Sequence, residues 1–162
     1  MGIPVPRIYD VDLVSMRIRM EYLNGIPLVK LLVDNEKTND VIINYVRTMG
    51  NYVGILHRNG VVHGDPTPAN ALIVGDRLYL IDFGLSEVLG RTPTAQDVRI
   101  LYKLALDLNV ALRSFEALRK DQSQLLFTEF LNGYRDAMGP ELTGRVQAMV
   151  NRLRRMVRYA VR

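Results

Sequence analysis

Apolar residues recur along most of this chain at helical spacing. Between Asn39 and Arg58, the residues Ile42, Val46, Met49, Val53 and Leu56 return at steps of three and four, which predicts a long helix with one buried face. Asn59 and Gly60 end it. Val98, Leu101, Ala105, Leu108 and Leu112 keep the same rhythm and predict a helix over about 95–120, followed by two more over 123–138 and 142–161. The strand period is rarer. Residues 16–22 (MRIRMEY) set Met16, Ile18 and Met20 against Arg17, Arg19 and Glu21, which predicts a half-buried strand, the only convincing one before residue 70. Asn24 and Gly25 then interrupt, and Pro27 opens a short helix to about Val33. Two apolar runs, Ala71 to Val74 and Leu78 to Ile81, are separated by Gly75, Asp76 and Arg77, as in a small hairpin. One strand, a hairpin and five helices make a mostly helical α+β lobe, and with no linker or repeat in view the expectation is a single domain over 1–162.

Composition narrows the class further. With 162 residues, 48% of them hydrophobic and 23% charged, the chain can build one sizeable core and is neither a disordered segment nor a fibrous repeat. No apolar run approaches the roughly 18 residues of a membrane span, and MGIPVPRIYD lacks the order of a signal peptide. Cysteine is absent, which removes disulfides, thiolate metal sites and a cysteine nucleophile; His57 and His63 alone make a poor zinc site. The expected compartment is the cytoplasm. Charge adds one local feature. Net charge is +4, yet the last 18 residues hold six arginines and no acid, so the rest of the chain carries two net negative charges. A basic patch confined to one end points to a polyanionic partner more strongly than diffuse charge does.

The chemistry lies between the long helix and the loop after the hairpin. His63-Gly64-Asp65 is followed five residues after the aspartate by Asn70, and Asp82-Phe83-Gly84 comes 17 residues after Asp65 across the hairpin. Phosphoryl transfer needs a carboxylate at the hydroxyl to be phosphorylated and oxygen ligands for the magnesium that holds the triphosphate. Asp65, Asn70 and Asp82 supply these, in the kinase order H-x-D-x-x-x-x-N … D-F-G. Asp65 and Asn70 alone could serve an Asx turn between helix and strand, a reading that leaves the position of Asp82-Phe83-Gly84 unexplained.

These residues make the chain resemble the C-terminal, catalytic lobe of the PRPK-like small kinase and ATPase of the KEOPS complex. The resemblance rests on residues 63–70 (HGDPTPAN), where Gly64 replaces the arginine usual in eukaryotic protein kinases, on residues 81–85 (IDFGL) and on residues 130–136 (FLNGYRD). The lack of an Ala-Pro-Glu signature after Gly84 also suits that family, whereas RIO-type kinases share the H-G-D loop but usually vary the D-F-G triplet. Departures are equally specific. The Gly-rich loop, the lysine-bearing strand and the helix carrying that lysine's glutamate partner have no counterpart in the sequence; they would precede Gly2, so the chain reads as a kinase beginning midway through its small lobe. Pro66 stands where the family more often has leucine, and the basic end lacks the family's Arg-Gly-Arg run.

Residue by residue, the resemblance implies Asp65 as catalytic base or water-orienting carboxylate, Asn70 and Asp82 as magnesium ligands, Met20 as gatekeeper, and the Glu21 carbonyl and Leu23 amide as hinge contacts to the adenine of ATP. Without the downstream motif, 20–23 is simply a strand end. His63 braces the loop, and Asp97 either holds that loop through its backbone amides or is an ordinary acid at a helix start. His57 receives no function. In the last helix Val146, Met149, Val150, Leu153, Met156 and Val157 form an apolar stripe, with Arg152, Arg155, Arg158 and Arg162 mainly off it and Arg154 the further arginine of the cluster. Those arginines are either a solvated helix end or a phosphate clamp, which the resemblance specifies as a tRNA contact; with Tyr159 the only aromatic among them, backbone contact is favoured over base stacking. Two functions of different classes follow. One is a magnesium-ATP-dependent Ser/Thr kinase or ATPase supporting threonylcarbamoyladenosine formation on tRNA. The other is an inactive lobe that binds the threonylcarbamoyl-transfer subunit, other KEOPS subunits and tRNA. Neither involves a membrane.

Overall fold

The computed structural model describes residues 1–34 and 39–160, and of 157–160 the backbone only. It opens with an antiparallel hairpin of β1 (Ile8–Asp12) and β2 (Arg17–Met20). Ile8 pairs with Met20 and Val11 with Ile18, while Asp10 faces Arg19 and Asp12 faces Arg17, so the ribbon has one apolar and one charged side. The Asp12 carboxylate accepts the amides of Val14 and Ser15 at 3.0 Å and closes the turn, in which Met16 sits at φ 51°. Two expectations are corrected here. Residues 17–20 are all exposed instead of half-buried, because Ile18 and Met20 face an open cavity and do not pack into the core. Nor is this the only strand before residue 70. In β1 an irregularity between Ile8 and Asp10 breaks the alternation that would have revealed it, and the two-residue strands β3 (Ile26–Pro27) and β4 (Val61–Val62) are too short to carry a period.

Helix α1 (Leu28–Asp34) follows β3 directly, and α2 (Asp40–Arg58) starts where the Asn39 side chain accepts the Ile42 amide at 3.0 Å. β5 (Ala71–Val74) and β6 (Arg77–Leu80) form the expected hairpin, tighter than the three-residue separation suggested, with Gly75 at φ 65° in a two-residue turn. β3 joins its edge in the order β3-β5-β6, and β4 pairs separately with β7 (Glu87–Val88). The loop 63–70 is thereby held between β4 at its start and β5 at its end, and the segment after residue 84 is drawn back beside that start.

Three long helices complete the molecule: α3 (Val98–Leu118), α4 (Ser123–Met138) and α5 (Pro140–Ala160). α3 begins three residues later than its apolar rhythm suggested, because Thr94 to Asp97 form a turn. α5 begins two residues earlier, with Pro140 at a first-turn position where no backbone donor is required. α2 and α4 approach through glycine. A Cβ on Gly50 would lie 1.9 Å from the Phe130 carbonyl oxygen, and one on Gly133 1.8 Å from that of Arg47. One continuous core joins Leu28 and Leu32 of α1, Met49 and Val53 of α2, Leu80 of β6, Leu104 and Phe115 of α3, Phe130 and Tyr134 of α4, and Val146 of α5. Phe130 stacks on Phe127 and meets Phe115 edge-on, so truncating it to alanine should cost about 3–5 kcal/mol.

Candidate active site

The loop between β4 and β5 carries the motif residues on a path set by glycine and proline. Gly64 has φ 89°, and a Cβ there would fall 2.2 Å from the Leu85 carbonyl oxygen, so an arginine at this position would collide with the backbone just after Asp82-Phe83-Gly84. Pro68 then starts a single 3-10 turn, Pro68–Asn70, which rotates Asn70 back toward Asp65. The Asn70 side-chain amide donates to the Asp65 backbone carbonyl at 3.0 Å and to its carboxylate at 2.8 Å. Since both bonds use Nδ2, the amide orientation is settled and Oδ1 remains as an oxygen ligand. Across the cleft, the Ile81 amide donates to the Asn70 carbonyl at 3.0 Å, which fixes Asp82 beside Asn70. Asp82 is exposed, at φ 59°, a conformation uncommon outside glycine that loops hold when it serves a site.

His63 braces this arrangement from below. It is fully buried, its ring lies 4.7 Å from that of Phe83, and its Nδ1 accepts the Asp65 amide at 3.3 Å. Its Nε2 makes no hydrogen bond of normal geometry. Burial pushes its pKa down; the negative charges of Asp107 and Asp65, the Ile81 backbone and Asp82 oppose the shift without cancelling it.

The residue that holds the loop by its amides is Asp107, which sequence reasoning missed. Its Oδ2 accepts the His63 amide at 2.8 Å and its Oδ1 the Gly64 amide at 2.9 Å, from a side chain buried in the middle of α3. Of the two readings of Asp97 the first is corrected accordingly: the loop amides go to Asp107, and the Asp97 carboxylate meets Arg91 at 2.6 Å and Thr94 at 3.3 Å at the start of α3. A signal was present. Asp107 falls three residues after Leu104 and four before Ala111, on the buried face, where a carboxylate needs donors. His57 likewise extends the Met49–Val53 stripe of α2 by one step of four, and bonds Asp107 at 3.0 Å.

Met20 ends β2 and lines, with Ile8, Ile18, Leu56, Val61, Asp82 and Phe83, a cavity of about 740 Å³ in which no described lysine takes part. Glu21 and Leu23 lie in the irregular segment between β2 and β3, outside that cavity; the Glu21 carboxylate accepts the Arg7 amide at 3.0 Å. The arginine cluster divides. Arg154 makes a two-pronged pair with Glu116 at 2.6 and 3.1 Å and is committed to joining α5 to α3, whereas Arg152 and Arg155 are not paired in this way and are both exposed. Arg162 and the side chain of Arg158 lie outside the described residues, as do the side chains of Val157 and Tyr159.

As a donor set for magnesium, the cleft offers one carboxylate, Asp82, and one amide oxygen, Asn70 Oδ1. That suits an ion which takes few protein ligands and keeps water and phosphate oxygens for the rest of its octahedron. Among the described residues no group of three or more His, Asp or Glu forms a self-sufficient metal cluster.

A helical lobe that seats an aspartate, an asparagine and an Asp-Phe-Gly turn around one cleft has the architecture of a protein kinase C-terminal lobe. Comparison with known proteins agrees: residues 9–103 match the protein kinase domain. The chain is 31% identical over 161 residues to the KEOPS complex subunit Bud32 of Pyrococcus abyssi, covering 99% of this chain and 68% of that protein. It is 36% identical over 134 residues to a probable bifunctional tRNA threonylcarbamoyladenosine biosynthesis protein of Methanosarcina barkeri, and 33% identical over 134 residues to one of Methanocaldococcus jannaschii. Each match takes in 83% of this chain but only 21% and 22% of those relatives, so the chain spans about a fifth of their length. The chain belongs to the protein kinase family, in its Bud32 branch.

Proposed function

We propose that this chain is the catalytic lobe of a KEOPS-type Ser/Thr kinase or ATPase that uses magnesium-ATP in support of threonylcarbamoyladenosine modification of tRNA. The observation that carries the reading is the pair of Asn70 bonds to Asp65, which frees Asn70 Oδ1, together with the Ile81–Asn70 backbone bond that brings the exposed Asp82, next in the chain, to that point. Asn70 Oδ1 and the Asp82 carboxylate would hold the magnesium ion, which would offset the charge that develops during phosphoryl transfer. The residues do the positioning. Asn70 holds the Asp65 carboxylate in place, Asp65 accepts the proton of the attacking hydroxyl or water, and the buried His63–Phe83 contact keeps Asp82 aimed at the same point. In this reading Met20 lines the adenine end of the cavity, and the backbone of Glu21 and Leu23, just beyond its lining, supplies the hinge contacts. Partners in this reading are the threonylcarbamoyl-transfer subunit and other KEOPS subunits, with tRNA phosphates on Arg152, Arg155, Arg158 and Arg162; Arg154 serves the fold. The reading places the chain in the cytoplasm, where tRNA would meet it; no helix among the described residues is long and apolar enough to cross a membrane.

A manganese-substituted ATP titration followed by NMR tests the site directly. Paramagnetic broadening should centre on the amides of Asn70 and Asp82 and vanish in Asp82→Asn, with affinity weaker than micromolar because the described cleft has no lysine for the phosphates. In ATP hydrolysis, Asp65→Asn and Asp82→Asn should each lower turnover by about 100-fold or more without a change in fold. Broadening elsewhere, or turnover kept by either variant, overturns the assignment. The absence of a lysine from the cleft also favours a second reading, an inactive lobe that acts as a binding module. That reading stands if the broadening centres on the site and hydrolysis is absent.

A further inference from the structure

Tyr134 lies in the 130–136 run, and the chemistry above gives it no part. It is nevertheless fully buried, and its hydroxyl oxygen is 2.8 Å from His57 Nδ1, while His57 Nε2 is 3.0 Å from Asp107 Oδ2. The rings of His57 and Tyr134 meet edge-on at 5.5 Å. The close approach of α2 and α4 at Gly50 and Gly133 makes this contact possible. The groups facing the His57 ring are thus Tyr134 from α4 and Asp107 from α3, and the carboxylate of Asp107 also faces His63.

Counting donors places the protons. Both Asp107 oxygens already accept a loop amide, at 2.8 and 2.9 Å, so the ring nitrogen that faces them donates and Nε2 carries hydrogen. Among the described residues the Tyr134 hydroxyl has no acceptor other than Nδ1. A proton on Nδ1 would leave the phenolic hydrogen buried with nothing to accept it, an arrangement that native interiors avoid. Burial and the negative charge of Asp107 push the Tyr134 pKa well up, so the hydroxyl keeps its hydrogen. We propose that Tyr134 is a positioning residue for the reactive loop: it donates to Nδ1, holds His57 as the neutral Nε2–H tautomer, and so turns that N–H onto the carboxylate that ties down His63 and Gly64. One ring nitrogen's bond decides the state of the other. The chain of bonds links α4, α2 and α3 to the amide that stands immediately before Asp65. That the loop is reactive rests on the phosphotransfer reading; the proton placement does not.

The test needs no nucleotide and is made on the whole chain. Long-range nitrogen–proton correlation spectra of the imidazoles should show His57 with a protonated Nε2 and a bare Nδ1. In Tyr134→Phe, which keeps the ring, Nδ1 should lose its bond and the single tautomer should give way to a mixture. Amide exchange at His63 and Gly64 should then speed up by about tenfold or more relative to other core amides. A protonated Nδ1 in the wild type, whether in an imidazolium or an Nδ1–H ring, overturns the proposal. So does a Tyr134→Phe variant whose ring shifts and loop exchange match the wild type. Should that variant fail to fold, the wild-type ring shifts still decide.

Discussion

Gly64 and His63 are adjacent, and each is explained by a neighbour it cannot escape. At Gly64 any side chain meets the Leu85 carbonyl at 2.2 Å and forces a positive φ on a residue that resists it. Gly64→Ala should therefore lower stability by about 2–4 kcal/mol, read as a shift in urea midpoint at unchanged slope. His63 responds to pH instead. Burial depresses its pKa in the folded chain, while the unfolded chain titrates near the ordinary imidazole value of about 6.5. Below that value the unfolded state binds more protons than the folded one, so stability falls as pH drops and recovers as pH rises above it. The loss can reach about 1.4 kcal/mol per pH unit for this one group. Between pH 6.5 and 5, wild-type stability should fall more steeply than that of His63→Gln; parallel curves would mean that His63 does not enter the fold uncharged. At this scale the motif residues were legible because Asp65, Asn70 and Asp82 lie within 17 positions of one another, in one loop and the turn that follows one hairpin. Asp107 was not, because it reaches the loop from 44 residues beyond His63, and its role shows only when α3 is laid against the loop.

Among the elements, α2 and α4 form the tightest joint, and glycine makes it so. Gly50→Ala places a methyl 1.9 Å from a carbonyl oxygen that belongs to the facing helix, and neither partner can yield without moving a whole helix. Overpacking of this kind should cost about 2–3 kcal/mol, visible in thermal melts. Gly144 is the control. It lies within α5 with nothing within 4 Å of its Cβ position, so Gly144→Ala should stabilise the chain by about 0.5–1 kcal/mol through helix propensity alone. If the two alanines behaved alike, the close helix contact would not be what the first glycine serves. The long helices and the β5–β6 hairpin could be read from the chain because each buries one face and repeats its period several times. β3, β4 and β7 could not, since two residues carry no period and their pairing is decided by contacts distant in sequence. β1 was hidden by its own irregularity, and the exposure of β2 could not be read from alternation, which reports two faces without saying what covers either.

Across the whole molecule the charge is divided, with two net negative charges before Arg145 and six arginines after and including it. The structure sorts those arginines by what they already touch. Arg154 is held by both oxygens of Glu116, so Arg154→Gln should loosen α5 from α3 and appear as a stability loss. Arg152 and Arg155 are both exposed on the same helix and retain donors for a polyanion. Binding of an RNA phosphate by either releases condensed counterions, and the slope of log affinity against log salt changes by about 0.7–0.9 for each phosphate neutralised. The double variant Arg152→Gln, Arg155→Gln should therefore reduce the tRNA salt slope by up to about 1.4–1.8 while its melting temperature stays near that of the wild type. Unrelated tRNAs should lose affinity equally, because phosphate contacts orient the nucleic acid without reading its bases. The comparison is decisive because the two classes of arginine answer in different assays. If the slope is unchanged in the double variant, these two arginines are a solvated helix end that complements the C-terminal dipole, and tRNA has to be withdrawn as the partner of this helix.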